Sequence, residues 1–537
     1  MSTKNELKGQ MEVIKTDYNK TDKWSHTDLA YIEQDQALEP FFDLKPVMSS
    51  FVEAIKKRTQ FPVDRPLLLA SLKKQYERIG AVLPVDDHVI LDENTFTITC
   101  AHQPSLITGP LYHIYKIASV VNLAGQLKEI HPDKAFIPVF IVGGEDHDWE
   151  EINHLHLFGR KIEWQREAGG SCGRLSTDGL EEVIREVSEL FTNAPQGDAI
   201  REMLNGILDR ADNYGSFHQS LIQRLFGEHG LIVLNMDDAD LKRAFIPIME
   251  KEIKEQFSFP LVSETQKQLA KIGFKPQAFC REINLFHMSP GVRERLDKDG
   301  DSFIRVDSNE RYTKEELLDE LRAHPERFSP NVILRPLYQE MILPNIAFVG
   351  GGGEIAYWLE RKSQFEAAGV FLPILVRRNS FFIIDHATKQ GMEKTGLGWE
   401  DFMQDYDTIV KHYLSEHSKA ELEVNVELDM LKAAYQSLEE KADVIDPTLS
   451  KAIQAEEAKH LRQFEQLGSR LLRAEKQQHE TALKRIQKVK DKLFPEDGLQ
   501  ERYENFMPYY SMLGDEFITS IIAISDPLES RLTILSL

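Results

Sequence analysis

Cysteine is nearly absent from this sequence: Cys100, Cys172 and Cys280 are the only three in 537 residues. None stands in a CxxC pair, and three thiols cannot build a disulfide framework, so a reducing compartment and a cytoplasmic location are expected. Long hydrophobic runs are missing too. No stretch approaches the roughly 20 apolar residues that span a bilayer, and the opening "MSTKNELKGQMEVIKTDYNKTDKW" lacks the apolar centre of a signal peptide. Positive charge is in deficit, with 64 Lys and Arg against 87 Asp and Glu, a formal charge of −23. A sequence-independent grip on nucleic acid or an anionic membrane needs clustered Lys and Arg, so neither is an expected partner. Small molecules and a second copy of the chain are. Internal repeats and low-complexity segments are absent as well.

What is present is length enough for two or more domains, each with its own core. Through the first two thirds, short apolar runs alternate with helical patterns: "TFTITC" (95–100), "FIPVFIV" (136–142), "LIVLNM" (231–236), "NIAFVG" (345–350) and "FLPILV" (371–376). Buried strands separated by helices predict an α/β domain with a mostly parallel sheet over residues 1–385. Two more polar stretches, roughly 155–225 and 250–330, read as insertions or a lid. In the second, Thr313 followed by Glu316 in "YTKEELLDELRAH" is a capping box that starts a helix.

After about residue 385 the pattern changes. Leu428, Leu431, Tyr435, Leu438, Ala442 and Ile445 recur at alternating spacings of three and four, the seam of a coiled coil. Asp446-Pro447 stops one helix and starts the next, with Asp as N-cap and Pro in the first helical position. The second arm passes through Phe464, Leu467, Leu471 and Ala474, loses the period near Gln478, and resumes at Ala482, Ile486, Val489 and Leu493 before Pro495. A long helical hairpin over 386–500 is expected, with 501–537 returning to the α/β body. The seam also suits a helix pair buried within one subunit. Few large segments remain to cover it, which favours a homodimer.

Ligands of open parallel sheets sit beyond the carboxyl ends of the strands, and three loops fit that position. In "TCAHQPSLITGPLYHIYKI" (99–117), Thr108-Gly109-Pro110 reads as an N-cap region with Pro at the first helical position, leaving backbone N–H groups free for a ligand. Tyr112, His113, Tyr115 and Lys116 follow within two turns. Tyrosine rings packed on the sheet, with His113 and Lys116 in solvent, are the plainer reading. Cys100 near His102 raises a thiol nucleophile, although a buried inert thiol is the commoner case.

The second loop, "VGGEDHDWEEINHLHLF" (142–158), sets Glu145, Asp146, His147 and Asp148 directly after an apolar strand and two glycines. Ionisable groups gathered at a strand end have their proton affinities shifted by burial and by one another. Such a cluster can bind an ammonium group, act as a general base or ligate a metal. Asp146, His147, Asp148 and His154 are suitable metal ligands, yet their spacing matches no zinc motif, and a solvated acidic loop is the alternative.

The third, "NIAFVGGGGEIAYWLERKSQFEAAG" (345–369), satisfies G-x-G-x-x-A through Gly351, Gly353 and Ala356 between a strand and a helix. The acid that a dinucleotide fold places at the end of the next strand is missing; "FLPILVRRNS" has Arg377 and Arg378 there. Glu354 at the helix start would repel a pyrophosphate. A glycine turn presenting Glu354 to a cationic or hydroxylated ligand fits better than NAD. Arg335 in "VILRPLYQE" (332–340) suits a bidentate carboxylate clamp or a structural salt bridge. Arg378 and Ser380 close the last strand.

Taken together, "TGPLYHIYK", "GGEDHDWEEINH", "LRPLYQEMILPNIAFVGGGGEIAYW" and "GLQERYENFMPYY" resemble the bacillithiol biosynthesis cysteine-adding family, BshC, over most of the chain. The resemblance implies a Rossmann-like core related to class I aminoacyl-tRNA synthetases, connecting insertions, and a coiled-coil domain that supports a homodimer. It implies a cysteine ligase that joins the cysteine carboxyl to the amine of glucosaminyl-malate. Where the family has Gly-Gln-Gln, this chain has Ala101-His102-Gln103, so only Gln103 carries over. ATP or another nucleotide with Mg is left open, because neither a His-x-Gly-His signature nor a KMSKS-like loop is present, and no metal ligand is assigned.

On this reading the catalytic candidates are Glu145, Asp146 and His147, to hold or deprotonate the amine. The substrate-binding candidates are Gln103, Thr108, Gly109, Tyr112, Lys116, Asp148, Asn153, Arg335, Gln339, Gly351, Gly353, Glu354 and Tyr357. A metal-dependent hydrolase resembling a deacetylase, built on the 145–154 loop, and a non-catalytic coiled-coil scaffold are the alternatives.

Overall fold

All five apolar runs become strands of one sheet in the computed structural model, which describes residues 11–418, 424–446 and 448–537. They are β1 (Thr95–His102), β2 (Ala135–Val142), β3 (Ile232–Asn235), β4 (Asn345–Gly350) and β5 (Ile374–Arg377), in the order β5-β4-β1-β2-β3. Every pairing is parallel. Sheets of this kind carry helices on both faces, which is why β4 is buried at every position and reads as a continuous apolar run. β5 starts only at Ile374, three residues later than the run in the sequence, because Pro373 lacks the N–H a ladder requires.

β1 and β2 run in unbroken register from Thr95↔Ala135 to His102↔Val142. Their ends are therefore level, and Gly143 N–H closes the pair on His102 O at 2.8 Å. The chain leaves β1 into helix α1 (Tyr112–Ile130) and reaches β3 through an excursion that includes α2 (Tyr214–Phe226). It comes back to the other side of β1 through α3 (Arg335–Ile342), β4 and α4 (Gly352–Leu359). The order reverses between β1 and β4, so α1 and α4 both begin beside one crevice at the carboxyl edge.

The polar stretches are ordered insertions. The first carries a short hairpin, His154–Leu157 with Arg160–Glu163. The second forms a five-stranded antiparallel sheet spanning Leu285 to Pro330. Its helix Lys314–Ala323 opens on the Thr313–Glu316 capping box.

The chain divides into two units, residues up to 382 with 498–535, and 383–497 with 536–537. The second contains α5 (Asn425–Ile445), α6 (Thr448–Gln478) and α7 (Glu480–Leu493). Pro447 lies outside the described residues; Asp446 caps α6 by accepting from the Thr448 backbone N–H at 2.9 Å. Leu428, Leu431 and Tyr435 are half-buried and Ala442 is buried, while Leu438 and Ile445 are exposed. Tyr435 hydrogen-bonds His460 across the hairpin. Phe464, Leu467 and Leu471 face outward and remain 36%, 50% and 54% exposed. The helix breaks at His479, and beyond it Ile486, Val489 and Leu493 are buried.

Candidate functional site

At the reversal point Lys116, in the second turn of α1, is 1% exposed. It donates to Ala101 O at 3.0 Å and lies 2.5 Å from Glu354 Oε2 at the start of α4. Glu354 also accepts from the Gly351 N–H at 3.0 Å. Burial by itself would raise the Glu354 carboxyl, but Lys116 and that N–H outweigh it and hold the group below the usual carboxylate range. Lys116 is therefore not in solvent, and Glu354 is not free for a ligand; the two neutralise each other.

The turn before α1 is strained. Ile107, Thr108 and Gly109 take φ of +45°, +66° and +60° in succession, a region that β-branched residues avoid. With ψ at −139°, Gly109 sits in territory open only to glycine, and a Cβ there would meet Ser105 Cβ at 2.8 Å. The C-terminal segment holds this turn in place. Asn505 Nδ2 donates to Ile107 O at 2.9 Å and to Gly109 O at 2.6 Å, and Leu111 N–H donates to Glu504 O at 2.8 Å. The expected Thr108 cap is thus corrected: Thr108 is buried with positive φ, Leu111 precedes the helix, and the Leu111 N–H is already bonded.

Beneath the turn lie three histidines, His102, His113 and His218, with centroids 4.8 Å and 5.3 Å apart in sequence. His102 Nδ1–H donates to Gln103 O and Nε2 accepts from Tyr112 O–H, both at 2.9 Å. Burial drives all three toward the neutral form, His102 to about 4 and His218 to about 3, with neighbouring cations and histidines adding to the effect. His113 is completely buried. Burial likewise keeps Cys100 a thiol, which removes it as a nucleophile.

At the end of β2, Asp146 Oδ2 accepts from Gln103 Nε2 at 2.7 Å and Oδ1 from His147 N–H at 2.8 Å. Arg293, from the antiparallel insertion, stands 3.6 Å from Asp146 and donates to His147 Nδ1 at 2.7 Å. Burial pushes the Asp146 carboxyl up, but His147, Arg293 and Gln103 outweigh it and keep the group ionised. Asp146 and His147 are 41% and 49% exposed, which leaves them open to a substrate.

Glu145 turns the other way. It is buried against Lys242, which also contacts Asp237 at 3.0 Å, and Asp237 takes Arg174 through two bonds of 2.6 Å. Burial raises Glu145 while Lys242 opposes it; burial lowers Lys242, but its two acids keep it charged. Glu145 is therefore an anchor for the loop and not an accessible base. Gly144 and Gly173 pack backbone to backbone beside it, where a Cβ on Gly173 would meet Gly144 O at 2.9 Å.

Arg335, at the start of α3, donates to Tyr357 O–H at 2.9 Å and to Gln339 at 3.4 Å, and is half-buried. Gln339 itself is buried, donating to Thr99 and Glu340, and Asn153 is buried in the hairpin beside Glu163 and His154, so neither faces a substrate. Asp148 precedes a one-turn helix, and Gly353 has open space around it. Arg377 and Arg378 are buried and paired with Asp28 and Glu501. Among the described residues no three His, Cys, Asp or Glu side chains converge as a metal site.

Sequence reasoning missed Lys242, Asp237, Arg174, Arg293 and Asn505. Asp237 follows the end of β3, so the strand-end rule could have found it. Arg293 lies on an insertion strand with no local signal.

Comparison with known proteins follows this division. The family described as Bacillithiol biosynthesis BshC, N-terminal Rossmann-like domain, matches residues 11–379, and the BshC C-terminal coiled-coil domain matches residues 381–537. A "Putative cysteine ligase BshC" of Flavobacterium johnsoniae is 36% identical over 94% of this chain and 96% of its own. Proteins of the same name from Christiangramia forsetii and Lysinibacillus sphaericus are 34% and 28% identical, over 97% and 92% of this chain and 98% and 94% of theirs.

Proposed function

The chain belongs to the bacillithiol biosynthesis BshC family, and on that premise we propose that it is a cysteine ligase, joining the cysteine carboxyl to the amine of glucosaminyl-malate. An amine and a carboxylate in water pair as ions, so the enzyme must expose the amine lone pair and hold it against an activated carboxyl. The observation that carries the reading is the accessible, ionised Asp146 beside His147 at the carboxyl end of β2, next to Gln103 at the end of β1. Asp146 receives the ammonium, and His147 takes its proton. Arg335 faces a carboxylate, and the Gly109 and Gly351–Gly353 turns approach the sugar. A nucleotide's phosphates do not fit the α4 N-terminus, where they would meet Glu354 with Lys116 already neutralised.

The outward stripe of Phe464, Leu467 and Leu471 supports a homodimer formed through α6. No helix among the described residues is long and apolar enough to cross a membrane. A thiol-building reaction suits the cytoplasm.

Turnover tests the reading. Purified protein given glucosaminyl-malate and cysteine, with and without Mg-ATP, is followed by thiol labelling and mass detection, and bacillithiol is expected. AMP with pyrophosphate would identify adenylation, and ADP with phosphate an acyl phosphate. No product in either condition, from folded protein and verified substrates, overturns the proposal.

A further inference from the structure

Arg293 is paired unlike the buried Arg377 and the exposed Arg174. Arg377 takes Asp28 through two contacts of 3.0 Å, and Arg174 takes Asp237 through two of 2.6 Å. Arg293, only 6% exposed, has no such fork. Its Nε and Nη2 both donate to Ser329 Oγ at 3.2 Å, and its Nη1 donates to the His147 ring. Among the described residues the one carboxylate within 4 Å is Asp146, at 3.6 Å, whose oxygens already serve Gln103 and the His147 backbone. The guanidinium carbon lies 3.8 Å from the Phe286 ring centroid, a cation–π contact. An imidazole nitrogen is a poorer acceptor for this cation than a carboxylate offered to the Nη1/Nη2 edge.

We propose that Arg293 recognises a carboxylate of the acceptor substrate, and that this carboxylate takes Nη1 away from His147. The inference rests on the ligase reading, under which the group is the malyl moiety of glucosaminyl-malate. The malyl carboxylates pass through the reaction unchanged, so a fixed cation can hold them from ground state to transition state. The cysteine carboxyl must lose an oxygen, and a clamp on its anionic form would stabilise only the ground state. Once released, His147 Nδ1 has its lone pair free for the proton that leaves the acceptor ammonium. Binding of the correct acceptor and readiness of the base are thereby one event.

The test is calorimetric binding of glucosaminyl-malate, of methyl glucosaminide (the same amine without a malyl group) and of cysteine, to the wild type, Arg293→Gln and Arg293→Lys. The wild type should prefer glucosaminyl-malate over methyl glucosaminide by about 100-fold, and Arg293→Gln should abolish that preference, the scale of truncating a buried charge-assisted pair. Arg293→Lys keeps the charge without the fork and should recover part of it. An unchanged preference in Arg293→Gln, or an equal loss for both sugars, overturns the inference, as does weakening confined to cysteine. Should Arg293→Gln melt well below the wild type, Arg293→Lys decides, and a full wild-type preference there overturns it. Binding is read without turnover, so failed ligation alongside Arg293-dependent binding overturns the ligase reading alone. No binding of glucosaminyl-malate by the wild type overturns both.

Discussion

Lys116 and Glu354 meet at 2.5 Å across the line where the sheet reverses its strand order, one from the helix after β1 and the other from the helix after β4. The pair joins the two halves of the α/β unit at the floor of the crevice. Buried pairs add little net stability, yet losing one member leaves a charge uncompensated. Lys116→Met should therefore cost about 3 kcal/mol or more in urea unfolding, and Lys116→Met with Glu354→Gln should recover most of it. Equal losses in the single and double variants would refute the coupling.

Asn505 holds two carbonyls of a turn that its own backbone disfavours. Asn505→Ala leaves both without a buried donor and should lower stability by about 2 kcal/mol, seen as a reduced melting temperature. Asn505→Asp should be worse, since its carboxylate would face two carbonyl oxygens. A wild-type melting curve for either variant would contradict this.

Acid should destabilise the α/β unit earlier than its surface carboxylates require. His102 and His218 lie at about 4 and about 3 in the folded chain, below the 6.5 they have when unfolded. Between these limits the unfolded state binds more protons, so stability is full above about pH 6.5 and falls as pH drops toward 4 and then 3. Denaturant midpoints across pH 4 to 7 will show the slope, and His218→Phe should flatten it. An identical slope in that variant would remove His218 as a cause.

Asp146→Asn keeps the shape of the strand-end loop and removes the charge that receives the amine. A fall in kcat/KM of about 100-fold or more is expected, the scale of removing one partner of a charge-assisted pair with the substrate ammonium. Activity within a few-fold of wild type would exclude Asp146 from the chemistry.

Leu467→Asp with Leu471→Asp places two charges on the exposed stripe of α6. Light scattering should give a dimer for the wild type and a monomer for the variant, with unchanged helix content. A monomeric wild type would refute the homodimer.

The sheet was legible because its strands are buried on both faces and appear as largely apolar runs; all five were visible, with ends no more than two residues off except at β5, where Pro373 delays the start by three. The crevice was legible because it follows from strand ends, which located Gln103, Asp146, His147 and Lys116 in one neighbourhood. Their partners were not. Whether Glu354 meets a ligand or Lys116, and whether Glu145 meets an amine or Lys242, depends on contacts between segments far apart in the chain, which local spacing does not encode.

By itself, then, the sequence determined the parallel α/β core, the helical hairpin and the edge at which chemistry gathers, since periodicity and strand termini are local properties set by burial. Only the tertiary structure decided which ionisable groups stay accessible. Charge pairing and hydrogen bonding are matters of proximity in space: ion pairs withdrew Glu145 and Glu354 from the crevice and hydrogen bonds withdrew Gln339, while Arg293 and Asn505 came to it from distant parts of the chain.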